Sequence, residues 1–425
     1  MNSFICLLAC VLLYFLIIRG IITHNNKLII YSIITYDIFY DYIFIVMGEF
    51  FGSVIVTTLK LLLEVIIIWV YLNVRYKRDK VHYSKNKFYI LICCLVYGVV
   101  VSLFYNSSVG DILKGFRLFF EPWIIGYILY LNGTFSNISG VKIIRMLSVL
   151  QGVLLLFSVY QYLYVHNMED LWFYQQFSEM KQKLYQMEFL YFRNGVIRAS
   201  SFLDGPLSAS ILYSYFACIF FTFLHKGRNR IYVFVNLLLS IAGILLTNTR
   251  IGIVIFLLYI AYYTLRKRGL WIVVLLPISS VIITFGMLIL GYYREPSALG
   301  RLVQYTNFFS NFSWIGRGIS DNDSLVKYDS FFISLFNAIG LIIVPFFYFF
   351  YFHTKKLYHI VKKENVNLII LVCGLSIVSL YTVIFQFYAG YAAYRFYSVL
   401  FFIALAKLTE IQNNGQTSIN NNCNV

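Results

Sequence analysis

The chain has 425 residues, of which 60% are hydrophobic and only 12% charged. A water-soluble surface needs roughly a quarter or more charged residues, so this composition excludes an ordinary soluble enzyme and selects lipid as the solvent. The net charge of +16 does not mark a nucleic-acid binder, because the basic residues sit in short clusters between apolar runs and form no basic face.

The apolar runs predict an all-α, polytopic integral membrane protein of about 12–13 transmembrane helices. In chain order they fall at 3–18, 28–47, 50–73, 88–105, 112–131, 143–165, 207–224, 231–247, 251–265, 270–291, 331–353, 367–385 and 394–408. The first has no basic residue before it and no small-residue cleavage site after it, so it reads as a retained membrane segment. The second carries Asp37 and Asp41. Residues 1–408 read as one membrane domain, with no internal repeat of the kind that marks many transporters. The polar end, 409–425 (TEIQNNGQTSINNNCNV), reads as a tail without structure. Of the seven cysteines, all but Cys423 lie in apolar runs, and no C-x-x-C pair exists. They read as small buried side chains.

Charge sets the orientation. Basic clusters occupy 74–87, 225–230, 266–269 and 354–365, which places these connections on the cytoplasmic side. The alternate connections, 106–111, 166–206, 247–250, 292–330 and 386–393, then face outward. Two of them, 166–206 and 292–330, are long enough to be functional loops.

Arginines in these outer connections stand out. Arg198 lies in Arg198-Ala199-Ser200-Ser201-Phe202, Arg250 in the turn Thr247-Asn248-Thr249-Arg250, and Arg301 and Arg317 in the second long loop. A guanidinium fork binds phosphate bidentately and stays charged in a partly dry site. Each arginine has an alternative reading, in which it snorkels to headgroups or pairs with a loop carboxylate. Within the run 112–131, Arg117 and Glu121 are four apart on one expected helix face, with Lys114 a turn earlier. They read either as a substrate-binding group or as an ion pair within the helix. Asp37, Asp41, Glu49 and Glu64 have no partner that the sequence identifies. Asp329 precedes the apolar run at 331, where it is either an N-cap or a group that orients an acceptor hydroxyl.

Three stretches together resemble the O-antigen ligase/polymerase superfamily of bacterial envelope glycosyltransferases. Arg198-Ala-Ser-Ser-Phe-Leu-Asp-Gly-Pro206 resembles its R-x-x-G-x-F-x-x-P segment, and Leu246-Thr-Asn-Thr-Arg250-Ile-Gly252 its T-x-S-R-G turn. Gly300-Arg301, Gly316-Arg317-Gly318, Asp329-Ser330 and Gly340-Leu341-Ile342 resemble its G-R, G-x-G, (H/D)-N and G-I-I-G run. The match covers about residues 190–350. Ser201, Thr249 and Ser330 depart from the glycine, serine and asparagine of the pattern, and Asp329 stands where ligases carry histidine.

The resemblance implies a metal-independent glycosyl transfer, needing no cofactor, at the outer face of the bacterial cytoplasmic membrane. The partner would be an undecaprenyl-pyrophosphate-linked oligosaccharide held among membrane lipid, with a chain-length regulator protein as a candidate partner and no nucleic acid. Arg198, Arg301 and Asp329 are the implied catalytic residues, and Arg250, Arg317, Lys114 and Arg117 the substrate-binding ones. The reading favoured is a polymerase of repeat units into O-antigen or capsular polysaccharide. The alternatives are a ligase that moves finished glycan to an acceptor and a flippase for the same lipid-linked units.

Overall fold

The structure is a computed structural model. It describes residues 2–23, 25–73, 85–131, 133–135, 140–166, 191–193, 195–203, 205–224, 230–266, 303–304, 306–319, 331–363, 366–385 and 391–422. These are almost entirely helical, as the apolar runs predict. The one described sheet is a two-residue hairpin, β1 (Phe192–Arg193) against β2 (Val196–Ile197), antiparallel and turned at Gly195 with a φ of 74°. Three described stretches are long and apolar enough to cross a membrane: Lys142–Tyr164, Pro206–Leu224 and Ile333–Val361.

Burial on these helices is inverted relative to a soluble protein. On α6 (Gly140–Tyr164), Leu156 is 74% exposed and Val149 66%, whereas Gln151, Ser158 and Gln161 are fully buried. α8 (Arg230–Leu246) repeats the pattern, with Ile231, Leu238 and Leu245 outward and Asn236 and Ser240 inward. Water would reject such an outer surface. A bilayer requires it, and it requires inward polar groups to find partners among themselves.

The chain divides into two compact units. The first comprises Met1–Lys77, Ile128–Leu257 and Ala389–Val425; the second comprises Arg78–Tyr127 and Leu258–Tyr388.

In the first unit, α1 (Asn2–Ile22) runs against α2 (Asn26–Asn73). The helical path of α2 doubles back on itself. Lys60 Nζ lies 4.8 Å from the ring of Tyr40, and Tyr14 Oη donates to Leu59 O at 2.9 Å while its ring packs 5.9 Å from that of Tyr36. Residues 20 apart on a straight helix would be about 30 Å apart, so α2 has two limbs. They correspond to the apolar runs read at 28–47 and 50–73. α7 (Pro206–Leu224), opened by Gly205-Pro206, is buried along nearly all its length. It packs on α6, on α8 and on α13 (Tyr391–Asn422). α13 continues helically to Asn422, through most of the stretch read as a structureless tail. The Lys407–Glu410 pair at 2.6 Å supports its polar part.

The run 112–131, which belongs to the second unit as far as Tyr127, is two helices rather than one, α4 (Val109–Phe119) and α5 (Glu121–Leu131). Pro122 explains the break, since proline lacks an N–H and disfavours the α conformation in the residue before it. Ser108 caps α4, with its Oγ accepting from Asp111 N at 3.2 Å. α3 (Lys85–Phe104), α10 (Phe331–Ile339), the 3₁₀ turn Gly340–Ile342, α11 (Ile343–Lys363) and α12 (Asn367–Phe385) complete this unit with the end of α9 (Arg250–Leu265). Trp123 packs on Phe350 at 4.3 Å, and Phe120 on Phe346 at 5.8 Å. Of the cysteines, Cys6, Cys10, Cys94, Cys218 and Cys373 are buried as read, but Cys93 is exposed on α3.

Close packing in the first unit is seen where α8 meets α7. A Cβ on Gly243 would sit 2.5 Å from the Tyr213 ring, whereas one on Gly152 would meet nothing within 4 Å. Gly243→Val therefore lowers stability by about 1–3 kcal/mol, and Gly152→Ala raises it by roughly 0.5–1 kcal/mol through helix propensity. Thermal denaturation in detergent separates the two; equal midpoints would contradict this packing.

Candidate active site

The Arg198 segment enters a buried layer without being helical, so its backbone needs partners. Arg198 N donates to Tyr191 O at 2.7 Å, extending the hairpin by one bond. Ala199 N then donates to Leu246 O at 3.1 Å. The next two amides, Ser200 N and Ser201 N, donate to Gln161 Oε1 at 3.0 and 2.8 Å. Gln161 Nε2 returns a bond to Ser201 O at 3.3 Å. One buried carboxamide on α6 thus satisfies three backbone groups of the loop.

Ser201, where the resembled motif carries glycine, has a φ of 55°. That is the left-handed region, which glycine occupies at no cost and other residues rarely. Its hydroxyl donates to Leu154 O at 2.8 Å, which offsets part of the strain. Phe202 follows and stacks on Phe157 at 4.1 Å, and meets Phe39 at 5.5 Å and Tyr42 at 5.0 Å.

The bond from Ala199 to Leu246 joins this segment to the turn that carries Arg250. Thr247 Oγ1 donates to Ile244 O at 2.6 Å and lies 3.0 Å from Thr249 Oγ1, so the two threonine hydroxyls meet within the turn. Asn248 takes a φ of 47°. Two residues past Arg250, Gly252 presses its backbone onto α7: a Cβ there would lie 2.2 Å from Ser210 Oγ, and Ser214 Oγ donates to Gly252 O at 3.0 Å. Arg198 and Arg250 thus belong to segments in direct backbone contact, at the start of α7 and the end of α8. Arg198 is half-buried, with its Nε shielded from solvent, and Arg250 is exposed.

At the opposite end of α6, Lys142 neighbours Lys27 and Arg145. α6 therefore carries a basic cluster at one end and the arginine segments at the other.

Arg317, in the second unit, is held by a glycine lock. Gly316 and Gly318, at φ 89° and 93°, flank it. Arg317 N donates to Asn337 O at 2.8 Å, Gly318 N to Ala338 O at 2.9 Å, and Leu341 N back to Trp314 O at 3.0 Å. Gly340, at φ 56°, makes the approach possible, since a Cβ on it would lie 2.1 Å from Trp314 O. The G-x-G and the later glycine of the third stretch are thus two halves of one contact. Arg317 Nη2 donates to Asn311 O at 3.2 Å. α4 backs onto the same loop, where a Cβ on Gly115 would meet Ile319 O at 1.8 Å.

Two residues of α4 fall out differently from their sequence reading. Lys114 pairs with Asp111 at 3.0 Å and is 67% exposed, in the cap of its own helix. Arg117 and Glu121 are both buried, but Arg117 closes α4 and Glu121 opens α5, so they do not share one continuous helix face. Arg301 and Asp329 lie outside the described residues. Two side chains that sequence reasoning passed over are central: Gln161, whose signal was a glutamine in an apolar run, and Arg395, an arginine inside the run 394–408.

Comparison of the chain with protein-family models, curated proteins and solved structures finds no match.

Ser201→Gly gains about 1 kcal/mol of backbone relief and loses a hydroxyl bond worth about the same, so its melting temperature stays near wild type. Ser201→Val suffers both losses, of the hydroxyl and of backbone fit, and melts lower. A stable Ser201→Val protein would contradict the left-handed geometry.

Proposed function

We propose that this protein is a polysaccharide polymerase. It joins undecaprenyl-pyrophosphate-linked oligosaccharide units into an O-antigen or capsule-type chain at the outer face of the cytoplasmic membrane. The observation that carries the reading is the Ala199–Leu246 backbone bond, which brings the Arg198 and Arg250 segments together at one end of the first unit. The left-handed Ser201 and the interlocked Gly316, Gly318 and Gly340 also support it, because they give physical reasons for the glycines of the resembled pattern.

The reaction needs little covalent work from the protein. An acceptor hydroxyl attacks the anomeric carbon of the donor sugar, and the bond from that carbon to the phosphate oxygen breaks. Undecaprenyl pyrophosphate leaves with the bonding electrons, and the hydroxyl proton passes to a base. Arg198 and Arg250 offset the negative charge that grows on the leaving group. The resemblance assigns Arg301 a catalytic role and Arg317 a substrate-binding one, and gives Asp329 the receipt or orientation of the acceptor proton.

A flippase is the second reading, and one observation favours it. Asp37 and Arg395 form an ion pair at 3.5 Å that is buried among apolar helices, the kind of group that transport proteins keep within the membrane.

Glycan analysis of cells carrying Arg198→Ala or Arg250→Ala tests these readings, with membrane insertion measured in parallel. Losing one such cation lowers the rate by about 10²–10³-fold, so the polymerase yields single repeat units on the terminal acceptor. Long lipid-linked chains that never reach the acceptor would make the protein a ligase. Normal chains, correctly attached, would remove both enzyme readings.

A further inference from the structure

Arg395 lies in the first unit at 1% exposure, on the last helix, α13. Its Nη1 is 3.5 Å from Asp37 Oδ1 on the first limb of α2. Its guanidinium covers the ring of Tyr40 at 3.9 Å, and Lys60 of the second limb approaches the same ring at 4.8 Å. One tyrosine is thus held by two cations, and three helical segments are joined around it. Glu64, one turn beyond Lys60, is also buried. Charges placed this deep in an apolar layer are expensive unless mutually satisfied.

The turn of α2 that carries this pair also carries the Arg198 segment. Asp37 and Tyr40 face α13, while Phe39 and Tyr42 of the same turn take Phe202 at 5.5 and 5.0 Å. The far side of the segment is tied to α13 as well. α7 begins four residues after Phe202, and its Phe216 and Tyr215 pack on Phe396 and Tyr397, the two residues after Arg395, at 5.8 and 6.4 Å. The segment 198–203 is therefore held between two elements that the Asp37–Arg395 pair fastens to each other.

We propose that Arg395, paired with Asp37, is a positioning residue that sets the conformation of the Arg198 loop from two sides, through the turn of α2 that carries Tyr40 and packs on Phe202, and through the middle of α7. Its relevance to glycan synthesis rests on the polymerase reading; the positioning itself does not. The pair fixes where the loop sits, while Gln161 and Leu246 satisfy the loop's backbone.

Hydrogen exchange on the full chain in lipid nanodiscs tests this without any need for activity. In Asp37→Asn and Arg395→Gln, the amides of 199–203 exchange about tenfold faster than in wild type, while those of α8 keep their wild-type rates. Arg395→Lys, which retains the charge, stays close to wild type. Unchanged protection at 199–203 would overturn the proposal. So would an equal rise in every helix of the first unit, which is the signature of a general brace. Glycan chain length in the same variants is read separately. If exchange responds as stated while Arg198→Ala leaves the glycan normal, the positioning stands and the polymerase reading falls.

Discussion

A buried amide with no acceptor is the constraint from which the local architecture follows. In lipid each such group costs several kcal/mol, so non-helical chain can enter the layer only where side chains satisfy it. Gln161 supplies that satisfaction for Ser200 and Ser201. Its carboxamide is committed to the loop, and the other polar groups of α6 find partners on α7 and α8. Ser158 meets Tyr213 Oη at 2.9 Å, and Gln151 donates to Asn236 O and Ser240 Oγ, both at 2.9 Å. Three of the polar residues of one apolar helix thereby fix its rotation.

Much of this was legible in the sequence, but only as local pattern. Apolar runs located the helices, and they divided 28–47 from 50–73, the two limbs of α2. Glycines at 316, 318 and 340 were visible in the sequence as members of the resembled run, but not as partners in one contact. The arginines at 198 and 250 were picked out by their place in outward connections and by the short motifs around them. Spacing could not reveal which distant segments meet. Asp37 and Arg395 are separated by most of the chain, and neither position names the other. Gln161 had only its polarity to mark it, and polarity does not say what a side chain bonds. The break at Phe120 was legible through Pro122, yet the surrounding apolar run concealed it.

Two kinds of charge occupy different places in the first unit. Arg198 and Arg250 belong to segments at the end of the helical layer, where an anion arriving along the membrane surface can meet them. Asp37, Lys60 and Arg395 lie among the helices, where a tyrosine ring and one another satisfy them. In the second unit the glycine lock gives Arg317 a comparable fixed seat. Loop arginines become useful for phosphate recognition when their backbones are immobilised this way, because a pre-set guanidinium loses less freedom on binding.

The central claim is that the Arg198 and Arg250 segments share one end of a membrane-crossing helical unit, with the Lys142 cluster at the other. A membrane-impermeant maleimide applied from each side of sealed vesicles tests it, using single cysteines at Arg198→Cys, Arg250→Cys and Lys142→Cys. The account predicts that 198 and 250 label from the same side and 142 only from the opposite one. Labelling of 198 and 250 from different sides, or of all three from one side, would contradict it.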